Sequence, residues 1–235
     1  MGQEGQGGRE GVEATFTSAV LCSGGLDSAV LLASEARTRV VQPVYVSSGL
    51  AWEAGELDML ERLLRSPVFG SVRPIARLEV GVQDVYPRSH WAIQGRPPAY
   101  DTPDEDVYLP GRNILLLSKA ALLCVGLRIN RLAIGPLAGN PFPDATPEFF
   151  EAMGQALSLG LAHRVSIAAP LAGFHKADVI RLGASLGVPF ELTLSCMKPV
   201  GRLHCGLCSK CRERRDAFEE SQVPDPTPYA APSPR

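Results

Sequence analysis

The chain holds 235 residues, 45% of them hydrophobic, with 23 Lys and Arg against 25 Asp and Glu and a net charge of −2. That is apolar material for one sizeable domain and a small appendage. The balanced charge leaves no footprint for nucleic acid, no apolar run approaches the ~20 residues of a membrane span, and the amino terminus is glycine-rich rather than a secretory leader. A cytoplasmic protein without a membrane or nucleic-acid partner is expected.

Residues 1–14 carry glycines and charges without periodicity and are expected to be disordered. Residues 15–21 form an apolar strand, and a helix is predicted over 27–37. A second strand runs over 40–46, where Pro43 suggests an edge position or a bulge. Leu57, Leu60, Leu63 and Leu64 place a helix over 52–65, and residues 72–80 alternate like a third strand. Residues 81–111 mix prolines, charges and aromatics with no period, which marks a functional or mobile loop. A buried helix is predicted over 113–127, a short strand over 131–134, and a helix over 147–159 with Pro147 at its first position. A strand at 164–168 and a helix at 176–186, stopped by Gly187 and Pro189, follow. Beyond residue 223 the chain has five prolines and is expected to be unstructured. The alternation argues for an α/β fold: a mainly parallel sheet sandwiched by helices. Ligands in such sheets sit beyond the carboxyl ends of the strands. That places the Ser23 loop, Ser47-Ser48-Gly49 and Gly135–Asn140 around one cleft.

The first of these loops carries the sharpest signal. Val20-Leu21-Cys22 runs into Ser23-Gly24-Gly25-Leu26-Asp27-Ser28, and a helical pattern follows at once. A strand, a glycine turn and a helix N-terminus make a nest of backbone N–H groups suited to phosphate. The two glycines let the backbone approach an anion, and Ser23 and Ser28 add hydroxyl donors. Asp27 would repel a phosphate unless Mg²⁺ lay between them, so the loop reads as a nucleotide site with a metal rather than a plain turn.

The second signal is Cys196, Cys205, Cys208 and Cys211, spaced C-x8-C-x2-C-x2-C. Four thiolates with two C-x2-C steps suit one structural, tetrahedral Zn²⁺ with no open position. The competing reading is unrelated thiols or a redox C-x-x-C. Adjacent His204 reads as hydrogen-bonded or solvated, with ligation as the alternative. Cys22 and Cys124 read as packed core thiols, and Arg212, Arg214 and Arg215 as a solvated helix face.

The S-G-G-x-D-S stretch resembles the signature of the PP-loop ATP pyrophosphatases, whose fold is HUP-like and Rossmann-type. Further pieces narrow the resemblance: Pro110-Gly111-Arg112-Asn113, Pro143-Asp144 with Pro147-Glu148-Phe149, Lys176 in Phe174–Ile180, and the cysteine knuckle running into Arg212 and Ala217-Phe218. In this order, across residues 16–218, they resemble the QueC family of 7-cyano-7-deazaguanine synthases. The resemblance implies a PP-loop domain over 15–190, a zinc knuckle with a closing helix over 191–222 and a tail over 223–235. It implies an ATP-dependent C–N ligase of queuosine biosynthesis. Such an enzyme adenylates 7-carboxy-7-deazaguanine, takes up ammonia to give an amide, and adenylates again to give the nitrile, releasing AMP and pyrophosphate. The implied roles are as follows. Ser23, Gly24, Gly25, Leu26, Asp27, Ser28 and Asn113 bind ATP, and Asp27 helps place Mg²⁺. Lys176 and Arg112 offset phosphate charge, while Asp144 and Glu148 face the deazapurine; an ordinary first-turn lysine and a surface-loop aspartate are the alternatives for Lys176 and Asp144. A cation is unfavourable at a helix N-terminus, which also points Lys176 toward function. Arg112 has an ion pair with Asp101, Asp104, Glu105 or Asp106 as its alternative, and Asn113 a helix cap. Family members carry P-D-C-R-P-E-F where this chain has Ala145 and Thr146. Such departures lie on the acceptor side, so another carboxylate or amine, even one on a protein, stands as an alternative acceptor. A PP-loop tRNA sulfurtransferase is a further alternative. A homodimer is an analogy from the family.

Overall fold

The computed structural model describes residues 17–234, so the expected tail at 1–14 lies outside the described residues. Five parallel strands form one sheet: β1 (Thr17–Leu21), β2 (Val40–Ser47), β3 (Ala76–Glu79), β4 (Arg131–Ala133) and β5 (Ser166–Ala168), in spatial order β3-β2-β1-β4-β5. β1 is central, with Ala19 level with Gln42 on one side and Leu132 on the other. The helices are α1 (Leu26–Ala36), α2 (Glu53–Leu63), the single-turn α3 (Trp91–Gln94), α4 (Arg112–Leu127), α5 (Pro147–Leu161), α6 (Lys176–Ser185) and α7 (Ser209–Ser221).

Strand side chains alternate between faces, so each face collects its own core. Val20, Val41, Tyr45 and Ala133 pack with α1, α6 and α7 through Leu31, Ile180 and Phe218. Ala19, Val44, Val46 and Leu132 pack with α4 and α5 through Leu117, Ala121 and Phe150. A third cluster joins Leu50, Trp52, Met59, Val82, Tyr86, Val107 and Leu109 to the four knuckle cysteines. The stretch 81–111 therefore does have a core. Its apolar residues are irregularly spaced because they serve turns and a single helical turn.

Two expectations change here. Pro43 does not mark an edge: β2 lies between β1 and β3. Val41, on the same side two residues earlier, gives its carbonyl to Arg73, and β3 starts only opposite Val44. The missing N–H of Pro43 thus falls below the β3 ladder, and the Gln42 amide donates to the carbonyls of Pro43 and Pro74. The proline-rich tail, expected to be unstructured, is docked. His204 N–H donates to Pro228 O and Ala230 N–H to His204 O, at 3.0 and 2.8 Å. Arg214 donates to Thr227 Oγ1 at 2.6 Å, and the Arg215 guanidinium lies 3.9 Å from the Tyr229 ring centroid. A proline-rich segment needs few partners for its backbone once arginines grip it, so composition alone misjudges it.

Candidate active site

The first turn after β1 is built as its sequence requires. Gly24 takes φ +81°, and a Cβ there would stand 3.0 Å from Leu60 Cβ. Only glycine lets the loop lie against α2 in this conformation. Gly25 N–H donates to Ser23 Oγ at 3.3 Å, and Ser28 Oγ donates to Gly25 O at 3.0 Å. Leu194 N–H donates to Gly24 O at 2.8 Å and fastens the segment before the knuckle to the loop.

Asp27, in the first turn of α1, meets Lys176 at the start of α6: Lys176 Nζ lies 2.6 Å from Asp27 Oδ2 and 2.8 Å from Glu213 Oε1. Lys210 Nζ reaches Glu213 Oε2 at 2.6 Å. Four charges from three helices thus alternate in sign above the glycine loop. Burial would raise the Glu213 carboxyl, but Lys176 and Lys210 more than offset it and hold it near about 2. Burial works against the Lys176 ammonium, and its two carboxylates push it above the ordinary lysine range. Two polar atoms at this site are buried with no partner: Asp27 Oδ1 and Arg112 Nε. Buried polar groups are nearly always satisfied. A carboxylate oxygen awaiting a cation and a guanidinium N–H awaiting an anion fit Mg²⁺ and phosphate.

Two adjoining cavities open here. One, of about 290 Å³, runs from Cys22, Ser23 and Asp27 to Asn113, Gly135 and Asn140. The other, of about 260 Å³, runs from Gly25 and Lys176 to Trp52, Trp91, Phe142 and Met197. Ser23, Gly25, Asp27, Glu56, Arg112 and Phe142 line both. The second is aromatic: Trp52 stacks on Trp91 with centroids 5.7 Å apart, and His90 and Tyr86 continue the ladder. A larger groove of about 830 Å³ lies along α5 and edge strand β5, away from these groups.

Several predicted residues gather here and others do not. Ser23, Gly25, Asp27, Ser28, Arg112, Asn113 and Lys176 line the cavities, while Gly24 shapes the loop from behind. Asp144 and Glu148 line neither. The buried Asp144 carboxylate accepts the Asn113 N–H at 3.0 Å, and Asn113 Nδ2 donates to Asp144 O at 2.9 Å. Asp144 therefore fixes the N-terminus of α4 and holds Arg112 in place, and Glu148 is exposed in the first turn of α5. Ser47, Ser48 and Gly49 also stand behind the site, all bonded to the Glu53 carboxylate at 2.6 to 3.0 Å. The sequence reading missed Glu56 and Glu213. Both are ordinary glutamates in helical patterns, and only tertiary packing turns them toward the loop.

The four knuckle sulfurs all lie within 4.8 Å of one another. Cys196–Cys208, Cys205–Cys211 and Cys208–Cys211 stand at 4.0, 3.8 and 3.5 Å. The edge of a tetrahedron with Zn–S bonds of ~2.3 Å is ~3.8 Å, so the cluster fits zinc. Backbone N–H groups of Lys198 and Cys205 donate to Cys196 Sγ, and that of Leu207 to Cys205 Sγ, as thiolates require. Gly206 takes φ +83°, and a Cβ there would collide with Ala231 O. His204 is not a ligand, because its Nε2 accepts the Ser195 N–H at 3.1 Å. The arginines after the knuckle do not form a solvated face. Arg214 is 1% exposed and donates to Thr193, Ser195, Thr227 and the Phe190 carbonyl. Burial pushes the thiols of Cys22 and Cys124 up to about 11 and about 12, so neither is a thiolate near neutral pH. Among the described residues no helix is long and apolar enough to cross a membrane.

Comparison with known proteins identifies the family. Residues 17–222 match the family described as queuosine biosynthesis protein QueC, and the chain belongs to that family. It is 33% identical over 240 residues to the 7-cyano-7-deazaguanine synthase of Methanopyrus kandleri, across 91% of this chain and 98% of that one. It is 34% identical over 220 residues to the protein of that name from Methanothrix thermoacetophila, with 89% and 96% covered. With the one from Porphyromonas gingivalis it shares 32% over 218 residues, with 90% and 96% covered.

Proposed function

We propose that this chain is an ATP-dependent C–N ligase that converts 7-carboxy-7-deazaguanine and ammonia into 7-cyano-7-deazaguanine, with an amide between. Family membership supports the substrate. The single observation that carries the reaction class is the Asp27–Lys176–Glu213–Lys210 clamp over the glycine loop, with Asp27 Oδ1 and Arg112 Nε buried and unpaired beside it.

In this reading the loop N–H groups receive the phosphate chain of ATP. Asp27 would hold Mg²⁺, which would supply charge neutralisation. Lys176 and Arg112 stabilise charge that builds as the acid oxygen attacks the α-phosphorus and pyrophosphate leaves. Adenylation is the sensible route because a carboxylate is a poor electrophile and hydroxide a poor leaving group. The aromatic chamber offers a flat substrate two indoles and excludes water that would hydrolyse the mixed anhydride. Zinc, with four thiolates and no open position, supplies structure.

The test is a product assay. Purified protein, ATP, Mg²⁺, the deazaguanine acid and ammonium salt should yield nitrile, AMP and pyrophosphate, followed by mass spectrometry. Pyrophosphate release without nitrile across a panel of amines would keep the adenylation and overturn the named product. No AMP with any acceptor would overturn the ligase.

A further inference from the structure

We propose that Glu56 is the base that removes nitrogen-bound protons during the condensation, an inference that rests on the ligase reading above. Glu56 is the buried carboxylate of α2 that lines both cavities, where the phosphate loop meets the aromatic chamber. The Gly24 turn packs directly on its backbone. The acyl carbon of an adenylated acid must lie at that junction, with its phosphate on the loop and its ring in the chamber.

The surroundings of Glu56 suit the task. Tyr45 OH lies 3.4 Å from Oε2, and the Trp52 side chain faces the carboxylate. The charged and titratable groups facing it are Cys22 from the end of β1, Tyr45 from β2, Glu53 on its own helix and Arg112 from α4. No salt bridge neutralises it among the described residues. Burial, with the Glu53 charge, raises its carboxyl to about 7, although Arg112 and its hydrogen bonds pull the other way. A general base is most effective when it titrates near the working pH.

The proton balance shows why a base is needed. Ammonia attacks the acyl carbon, and the new C–N bond leaves nitrogen with three protons and a positive charge. Glu56 takes one. The C–O bond to AMP then breaks, the electron pair leaves with AMP, and a primary amide remains. In the second round the amide oxygen attacks the α-phosphorus of a second ATP and displaces pyrophosphate. The resulting cationic imidate ester sheds one N–H proton to water and becomes neutral. Glu56 takes the last as the C–O bond breaks, leaving the C≡N bond and AMP. Between rounds Glu56 returns its proton to water when AMP departs.

Glu56→Gln tests this, because glutamine can still accept from Tyr45. ATP–pyrophosphate exchange with the acid present and ammonia absent should stay within about threefold of wild type. Amide formation in a single turnover should fall about 100-fold or more, within the span ascribed to general bases. At a fixed concentration of free ammonia the wild-type rate should rise through pH 7, and that limb should be missing in Glu56→Gln. Stability gives an independent reading. A carboxyl whose folded value is raised favours folding below its unfolded value and loses that contribution as pH rises through 7. Glu56→Gln should therefore melt above wild type at about pH 8 and close to it at about pH 5, the reverse of what loss of a structural anchor gives. Should glutamine unfold the chain, Glu56→Asp decides: it must keep the pH limb at a reduced rate. Unchanged amide formation, equal loss of exchange and amide formation, or an unaltered pH limb in Glu56→Gln would overturn the proposal, as would loss of the limb in Glu56→Asp. Failure of wild type itself to exchange or to form product would instead overturn the ligase reading.

Discussion

The two ends of the site, the glycine loop with its clamp and the ring-lined chamber, are built on different principles. The loop end, read above as the phosphate side, uses strand ends and helix first turns: Ser23 to Ser28 after β1, Gly135 after β4, and Lys176 at the start of α6. Its charges stand in alternating pairs, with Lys176 between Asp27 and Glu213. The chamber end, read above as the acceptor side, adds rings and apolar residues drawn from α2, the 81–111 stretch, α4 and the knuckle. Its rings stack on one another, Trp52 on Trp91 and Tyr108 on Phe142. A phosphate site can be made from a few adjacent residues, whereas a chamber for a flat acceptor needs long-range packing. The four-cysteine knuckle links the two, because α7 carries Cys208 at its cap, Cys211, and the clamp residues Lys210 and Glu213.

Removing zinc should therefore break both sides at once, and it is the largest effect expected. Cys208→Ser should lower the melting temperature by about 10 °C or more, since metal binding energy is folding energy in such knuckles. It should also abolish ATP–pyrophosphate exchange, because the first turn of α7 no longer holds Glu213 beside Lys176. Zinc content by plasma mass spectrometry, melting curves and exchange on one preparation check this. Exchange that survives metal loss would separate the two regions.

Lys176→Ala strikes the clamp above the loop, where the two cavities adjoin. It leaves Asp27 and Glu213 without their common cation, and exchange should fall about 100-fold or more, as when a charge-stabilising donor is removed. The clamp also has a pH signature. The Glu213 carboxyl is held down near about 2, so its contribution to stability is complete above its unfolded value, near 4.5, and is lost as pH falls from there toward 2. Lys176 is raised, so its contribution is complete below its unfolded value, near 10.5, and fades as pH rises past it. Acid melting curves of wild type should steepen below about pH 4.5, and those of Glu213→Gln should not.

Trp91→Ala strikes the acceptor side alone. It removes half of the indole pair and should raise the KM for the acid about tenfold with the KM for ATP within about twofold, the scale of one lost aromatic contact. Initial rates against each substrate separate the two. Equal changes in both constants would mean that the chamber does not hold the acceptor.

The same contrast explains what the sequence disclosed. The glycine loop, Asp27 and the cysteine spacing were legible, because their chemistry needs particular residues at fixed short distances. The parallel sheet followed from the alternation of strands and helices. Glu213 and Glu56 were not legible: each is one acid among many on a helix, and its role comes from what packs against it. Asp144 was read as a substrate contact, since an isolated loop aspartate gives no sign that its carboxylate caps a helix far along the chain. The tail was misjudged because five prolines describe backbone preference and say nothing of Arg214 and Arg215 waiting to bind it.

The smallest effect sharpens the comparison from outside. Arg202 and Asp58 join the knuckle hairpin to α2 through a pair whose shorter contact, 2.8 Å, nearly matches the 2.6 Å of Lys176 and Asp27. Arg202 is 63% exposed and Asp58 45%, against 20% and 27% for the clamp pair. In water and salt an exposed pair gains little beyond the entropy lost in holding two long side chains. The clamp pair sits beside buried groups, with Glu213 completing it, so its loss leaves charges uncompensated. Arg202→Ala should leave melting temperature, exchange and nitrile formation unchanged at physiological salt. A loss approaching that of Lys176→Ala would mean that the fastening of the knuckle to α2, and not the charge above the loop, sets the activity.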